Sequence, residues 1–272
     1  HTAYRRQRQM CIRDRIRKEQ INGVKYNNVY QDKNKYKNGS VTQGSIVIAT
    51  LILLSITTIA ALATILISFK NPELATTLNL IGAGGVIVMT LIALLSHAMK
   101  TGSFIGGSLL SLFQGLMLGG FTYTIGSQLI GDKAGDPQLG WNLVLQALMA
   151  TIGLFFTALL LYKSGLIRPS EKFRSFLFLA ISGFGILYLI NFGLTFILHK
   201  NLLMGDGPLP IIIGIIAIIL GTLSLITEFQ SADEFVQVRA DSKIKWALAT
   251  AIVSSLVWLY MEILRVLFLI RN

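Results

Sequence analysis

Seven long apolar segments constrain the fold of this chain more than any other feature. The hydrocarbon core of a membrane is about 30 Å thick, and an α-helix crosses it in roughly 17–25 residues. Only 14% of the residues are charged, whereas soluble domains carry about 25%. The sequence therefore predicts an all-α integral membrane protein with seven transmembrane helices, within a domain of residues 45–272. The predicted spans lie near residues 45–69, 78–99, 104–130, 140–162, 173–198, 209–228 and 246–270.

Residues 1–44 form a basic tail, which we predict to be cytoplasmic and disordered. The tail holds eleven Lys and Arg against three acids, and so has +8 of the net charge of +11. A basic segment beside a membrane span fixes orientation and contacts anionic lipid, so we predict a lipid partner and no nucleic acid. The chain opens with His1, and Arg5–Arg15, RRQRQMCIRDR, resembles translated sequencing-adaptor sequence. We therefore expect residues 1–15 not to be native, and we give them no functional role.

The Lys and Arg residues in the short loops predict the orientation of the spans. Eight lie on the side of the N-terminus, namely Lys100, Lys163, Arg168, Lys172, Arg174, Arg239, Lys243 and Lys245. Four lie on the other side, namely Lys70, Lys133, Lys200 and Arg271. Because cytoplasmic loops carry the excess of Lys and Arg, the N-terminus is predicted to be cytoplasmic.

Two charged residues interrupt the last apolar span. Val257–Ile270 reads VWLYMEILRVLFLI and contains Glu262 and Arg265. A charged side chain at the centre of a bilayer costs about 2.5–3.5 kcal/mol even on insertion scales, so Glu262 needs a partner. Arg265 lies three residues later on the same helix face and is one candidate. An acid on a neighbouring helix is the other.

Glu228, at the end of the sixth predicted span, is that neighbouring acid. It precedes Glu262 by 34 residues, so a helical hairpin that turns near residues 240–245 would bring the two carboxylates to the same level. Two carboxylates in contact share a proton and titrate as a unit, and their oxygens suit a hard cation such as Ca²⁺. The pair would be a proton sensor and gate. The alternative is that Glu228 lies at the membrane surface and reaches water.

The sequence lacks the patterns of a metalloenzyme or a nucleotide-binding protein. It has one cysteine and three histidines, and it contains no HExxH, no CxxC and no phosphate-binding glycine loop. We predict no resident cofactor, with Ca²⁺ bound only transiently. Intramembrane aspartyl proteases need two catalytic Asp residues, and none lies within a predicted span. We therefore expect that the protein is not an enzyme.

Four segments resemble the Bax inhibitor-1/YccA family, and its longer bacterial branch in particular. The resemblance runs from about Val41 to the end of the chain and is most specific in the last segment. It implies a seven-helix fold with the C-terminal helix at the centre, a bacterial plasma membrane and a pH-sensitive Ca²⁺ leak. The segments are SLFQGLMLGG (Ser111–Gly120), LLYKSGLIRPSEKF (Leu160–Phe173), SLITEFQSADEF (Ser224–Phe235) and VWLYMEILRVL (Val257–Leu267).

The resemblance also implies positions for the site. Short members of the family have a proton-sharing pair of Asp residues on their sixth and seventh helices, and these positions fall on Glu228 and Glu262. Their Arg, late in the second helix, falls on His97, with Lys100 one turn later. A histidine would itself titrate near neutral pH. We assign His97, Lys100 and Arg265 as cations that tune the acids.

Two other functions stay open at this point. A secondary carrier would show internal repeats and helices broken at the midplane, and the sequence has no convincing repeat. A non-transporting regulator of a membrane protease or a stress response would have to meet its partner mainly within the bilayer, because the chain has only short loops outside it.

Overall fold

The computed structural model describes residues 39–95, 103–129, 137–166, 169–198, 203 and 207–271. Seven of the helices in these ranges are long and apolar enough to cross a membrane, which confirms the predicted fold class. They are α1 Gln43–Lys70, α2 Glu73–Leu95, α3 Phe104–Tyr123, α4 Pro137–Lys163, α5 Glu171–Leu198, α6 Pro208–Gln237 and α7 Ile244–Arg271. A π-helical segment, Thr124–Leu129, extends α3.

Two helix starts show why the chain folds locally as it does. Thr42 precedes α1 and forms a capping box with Ser45, in which each side chain accepts a hydrogen bond from the other residue's backbone N–H. Ser103 precedes α3, and its hydroxyl accepts from the N–H of Gly106. Both caps satisfy N–H groups that the first helical turn leaves without a partner.

The C-terminal helix α7 lies at the centre of the bundle, as predicted. It packs against α1, α3, α4 and α6. In its most apolar stretch 67% of the residues are buried inside the protein, compared with 6% for α5. An acid on α7 is therefore surrounded by protein, whereas the outer faces of the other helices are left for lipid.

Glycines allow the closest helix contacts. A Cβ atom on Gly115 would lie 2.5 Å from the backbone oxygen of Thr57, and one on Gly119 would lie 2.5 Å from that of Ala61. Side chains at these two positions are excluded, so α3 approaches the backbone of α1 directly. Gly115 and Gly119, four residues apart on one face of α3, thus mediate the packing of α3 on α1.

Helix α6 extends well beyond the membrane span predicted for it, which ended near residue 228. It continues from residue 228 to Gln237, so that its 30 residues span about 45 Å, more than the hydrocarbon core needs. Asp233, in the added part, accepts a hydrogen bond from Gln43 on α1 (2.9 Å) and one from Tyr162 on α4. Glu234 accepts two from Arg174 on α5, at 2.9 and 2.5 Å. The extension therefore ties α6 to three other helices.

The turn Val238–Lys243 joins α6 to α7 and contacts the segment before α1. The N–H of Val41 donates to the carbonyl oxygen of Ala240 at 2.9 Å, and that of Ser242 donates to Gly39 at 3.2 Å. Arg239 has a φ of +51°, a left-handed conformation that is unfavourable for residues with a Cβ. The turn is thus a compact connection, and it places the end of α6 beside the start of α1.

Candidate functional site

Glu262 and Arg265 form a buried ion pair within α7. Glu262 Oε2 lies 2.6 Å from Arg265 Nη2, and the two residues are only 5% and 4% exposed. The spacing of three residues puts both side chains on one face of the helix. The sequence offered two candidate partners for Glu262, and the structure shows that Arg265 on the same helix is the one that contacts it.

Tyr188 of α5 is the second partner of Glu262, and it was not predicted from the sequence. Its hydroxyl donates to Glu262 Oε1, and the Arg265 guanidinium lies 5.6 Å from the centre of its ring. The available signal was the position of Tyr188 deep inside an apolar span, because a buried tyrosine hydroxyl usually finds a hydrogen-bond partner.

The guanidinium of Arg265 has unused hydrogen-bonding capacity. Its Nη1 lies 3.5 Å from the carbonyl oxygen of Leu203, at the long limit of a hydrogen bond. Its Nε is buried and has no partner among the described residues. On α6, a Cβ atom at Gly214 would lie 3.3 Å from Nη2. The absence of a side chain at Gly214 therefore leaves room for the guanidinium.

Glu228 lies on the face of α6 that meets α7. Its Oε1 accepts a hydrogen bond from Ser255 of α7 at 2.5 Å and another from Ser224 at 3.1 Å. Its Oε2 is inaccessible to solvent and has no hydrogen-bond partner in the described part of the chain. Glu228 is therefore a carboxylate with one oxygen held by serines and the other free to accept a proton or a cation.

The structure does not bring the two carboxylates together, which corrects the expectation of a direct contact. Glu228 bonds to Ser255, and Glu262 comes seven residues later on the same helix, or about 10 Å along its axis. The cause is the position of the hairpin turn, Val238–Lys243, which lies before residue 245, the midpoint between the two acids. The helical arm from Glu228 to the turn is therefore about half as long as the arm from the turn to Glu262. The two acids therefore lie at successive levels along α7, Glu228 beside Ser255 and Glu262 two turns later, rather than as a pair that shares one proton.

A seven-residue repeat on α6 explains how Glu228 reaches α7. Gly214, Gly221 and Glu228 are two helical turns apart and share one face. A Cβ at Gly214 would meet Val266, and one at Gly221 would meet Leu259. The two glycines bring the helices close together, and the third position of the repeat points its carboxylate at Ser255. This spacing was readable from the sequence.

Further polar contacts join α7 to α3. Gln114 Nε2 donates to Ser254 at 2.7 Å, and the hydroxyls of Thr122 and Tyr260 lie 3.1 Å apart. Gln114 is 5% exposed, and its Oε1 has no partner among the residues described. Ser254 and Ser255 are adjacent, so one level of α7 has a carboxamide from α3 on one side and the carboxylate of Glu228 on the other.

Two of the predicted tuning cations, His97 and Lys100, lie outside the described residues. The third, Arg265, is the direct partner of Glu262. Within the ranges that the structure describes, no group of three or more His, Cys, Asp or Glu residues could hold a metal ion. Any cation at this site would therefore meet one carboxylate at a time, together with neutral oxygens.

Comparison with known proteins identifies the type of bundle. The family model described as Bax inhibitor 1 like matches residues 22–272, which include all seven helices and both acids. A search of curated proteins gives no match.

Proposed function

Because the chain belongs to the Bax inhibitor 1 like family, we propose that it is a pH-sensitive passive leak for cations, Ca²⁺ among them. The cations would move along the polar face of α7, past Glu228 and then past the pair of Glu262 and Arg265. This revises the expected gate, because the two acids act in succession and not as one proton-sharing pair.

One observation supports this proposal above the others, namely the free oxygen of Glu228. A buried carboxylate oxygen without a hydrogen-bond donor is unfavourable, and a bound cation or proton would relieve it. Ser224 and Ser255 already fix the other oxygen, so the carboxylate is oriented before a ligand arrives. Carboxylate and hydroxyl oxygens are ligands that Ca²⁺ accepts.

The same groups give the proposed leak a definite response to pH. Protonation of Glu228 removes the negative charge that would bind the cation. Protonation of Glu262 leaves the charge of Arg265 unpaired beside the path, where it repels cations. Both protonations reduce the flux of cations, so the leak is expected to be larger at alkaline than at acidic pH.

The loop charges support a proposed orientation. We place the N-terminus in the cytoplasm, because Lys and Arg are more frequent in the loops on that side, and we propose a bacterial plasma membrane from the resemblance to the longer bacterial branch of the family. The turn between α6 and α7 would then face the cytoplasm, and cations would meet Glu228 before Glu262 on their way out.

Ca²⁺ flux into proteoliposomes tests the proposal. The experiment compares the unaltered protein, Glu228→Gln and the matched control Glu73→Gln, which alters an exposed acid in the first turn of α2. We expect a leak that rises with pH, falls by about tenfold or more in Glu228→Gln, since tenfold is only 1.4 kcal/mol, and is unchanged in the control. A leak that ignores both pH and Glu228→Gln would refute the proposal.

Two other outcomes of this experiment would replace the leak by another function. Saturable uptake coupled to a second solute would indicate a secondary carrier. A folded protein without flux, recovered with a stoichiometric membrane partner, would indicate a regulator.

A further inference from the structure

Helix α5 is the least covered helix of the bundle, yet it supplies a side chain to the most buried ion pair. Only 6% of its apolar stretch is buried inside the protein, and its main packing is against α6. Large apolar side chains such as Phe178 and Leu179 are about two-thirds exposed or more. In a membrane these side chains face lipid, so apolar packing does little to hold α5 against the central helix.

Tyr188 makes the contact of α5 with the ion pair. Its hydroxyl donates to Glu262 Oε1, while Arg265 Nη2 donates to Glu262 Oε2. Both oxygens of a carboxylate in apolar surroundings are thereby satisfied. The ring also lies beside the guanidinium, at 5.6 Å, a distance at which a cation and an aromatic ring attract each other.

Other contacts fix α5 on either side of Tyr188. Arg174, near its start, binds Glu234 of α6 through two hydrogen bonds, about 21 Å before Tyr188 along the helix axis. Asn191, one turn after Tyr188, accepts a hydrogen bond from the N–H of Leu203 at 3.3 Å. Between these two points, the hydroxyl of Tyr188 supplies a hydrogen bond to α7, so its loss would weaken the attachment of the middle of α5.

We propose that Tyr188 is a positioning residue that holds α5 over the Glu262–Arg265 pair, and that its release opens the polar face of α7 towards the lipid side. The inference rests on the proposed function for its effect on flux, but not for its effect on helix position. While the Tyr188 hydroxyl is bound to Glu262, α5 covers one side of the path past Glu262. When this hydrogen bond breaks, α5 moves away and the path widens.

The flux test uses two tyrosines that differ in their partners. Tyr188→Phe keeps the ring but removes the donor to Glu262. Tyr260→Phe is the matched control, because that hydroxyl contacts Thr122 at the interface of α7 with α3. We expect the Ca²⁺ leak of Tyr188→Phe to rise about tenfold, as for the loss of a hydrogen bond to a charged group, and the control to be unchanged. An equal or smaller leak in Tyr188→Phe would overturn the inference.

A distance measurement tests the position of α5 without relying on transport. In a Cys11→Ser background, spin labels at Ile190 of α5 and Ile59 of α1 report the position of α5, since these side chains are 57% and 67% exposed. A control pair joins Ile59 to Met149 of α4, which is 72% exposed. We expect Tyr188→Phe to lengthen the first distance distribution and to leave the second unchanged.

The two experiments separate the two proposals. A protein without any flux, whose α5 distance still lengthens in Tyr188→Phe, would refute the leak but support the role of Tyr188. A protein with a pH-dependent leak, whose α5 distance is unchanged in Tyr188→Phe, would support the leak but refute the role of Tyr188.

Discussion

Arg265 lies one turn after Glu262 on the central helix, and its guanidinium is 2.6 Å from the carboxylate. The central helix α7 thus supplies both the buried acid, Glu262, and the cation that neutralises it, Arg265. This arrangement neutralises an acid that the lipid would not tolerate, and it also creates a dependence, because each charge is stable only while the other is present.

Removing one member of this pair is expected to destabilise the protein strongly. Arg265→Met leaves Glu262 buried with only Tyr188 as a partner, and a broken buried pair typically costs about 3–5 kcal/mol. Chemical unfolding in detergent, followed by circular dichroism, measures the change. The control is Arg174→Met, which breaks the partly exposed pair with Glu234 and is expected to cost at most about 1 kcal/mol. Equal losses in the two variants would contradict the prediction.

Adding a methyl group at Gly115 is expected to separate α3 from α1. A Cβ atom there would lie 2.5 Å from the backbone oxygen of Thr57, and overpacking of this kind costs about 1–3 kcal/mol. The same unfolding measurement applies to Gly115→Ala. Gly153→Ala is the control, because a Cβ atom at Gly153 meets nothing within 4 Å, and it is expected to be neutral or slightly stabilising.

Removing the hydroxyl of Ser255 is expected to shift the pH dependence of the proposed leak. Ser255 donates to Glu228 Oε1, and a hydrogen bond to the ionised carboxylate favours the ionised form. Without it Glu228 binds its proton at higher pH, so the midpoint of the flux–pH curve of Ser255→Ala moves upward. Ser254→Ala alters the neighbouring serine, which bonds to Gln114, and should leave the midpoint in place. A downward shift in Ser255→Ala would contradict the assignment of Glu228 as the titrating group.

Replacing Arg239 by glycine is expected to stabilise the turn between α6 and α7. Arg239 is exposed and has a φ of +51°, a conformation that costs a residue with a Cβ about 1–2 kcal/mol. Part of this gain is lost because glycine is more flexible in the unfolded chain. The net increase in unfolding free energy should therefore be below about 1 kcal/mol. A decrease in the unfolding free energy would show that the side chain of Arg239 stabilises the turn by more than its left-handed backbone conformation destabilises it.

The fold was predictable from the sequence because lipid imposes simple requirements on helix length and charge. The apolar spans defined seven helices, and the acid in the last span, together with the family resemblance, placed α7 at the centre. The level of Glu228 was not predictable in the same way. It depends on where one helix stops, and the expected turn near residues 240–245 was too broad a range to fix that level. In the structure α6 ends at Gln237, after Asp233 and Glu234, which have partners on three neighbouring helices.

The partner of Glu262 on α5 could not be found from the two acids alone. Residues that are charged near neutral pH stand out in an apolar span, whereas Tyr188 is neutral there and contributes only a hydroxyl. Arg265 was one of the two partners considered for Glu262, because a spacing of three residues on one helix can be read directly from the sequence.

The order of the helices along the chain has a consequence for biosynthesis. The ribosome makes α7 after the other six helices, so the four that pack against it, α1, α3, α4 and α6, enter the membrane before their common partner exists. Until then Glu228 of α6 lacks its partner Ser255, and the inner faces of α1, α3 and α4 lack the helix they pack against in the finished bundle. A nascent chain that stalls before Ile244 would therefore lack α7, and the helix faces that normally pack against α7 would be exposed to the cell's quality-control machinery.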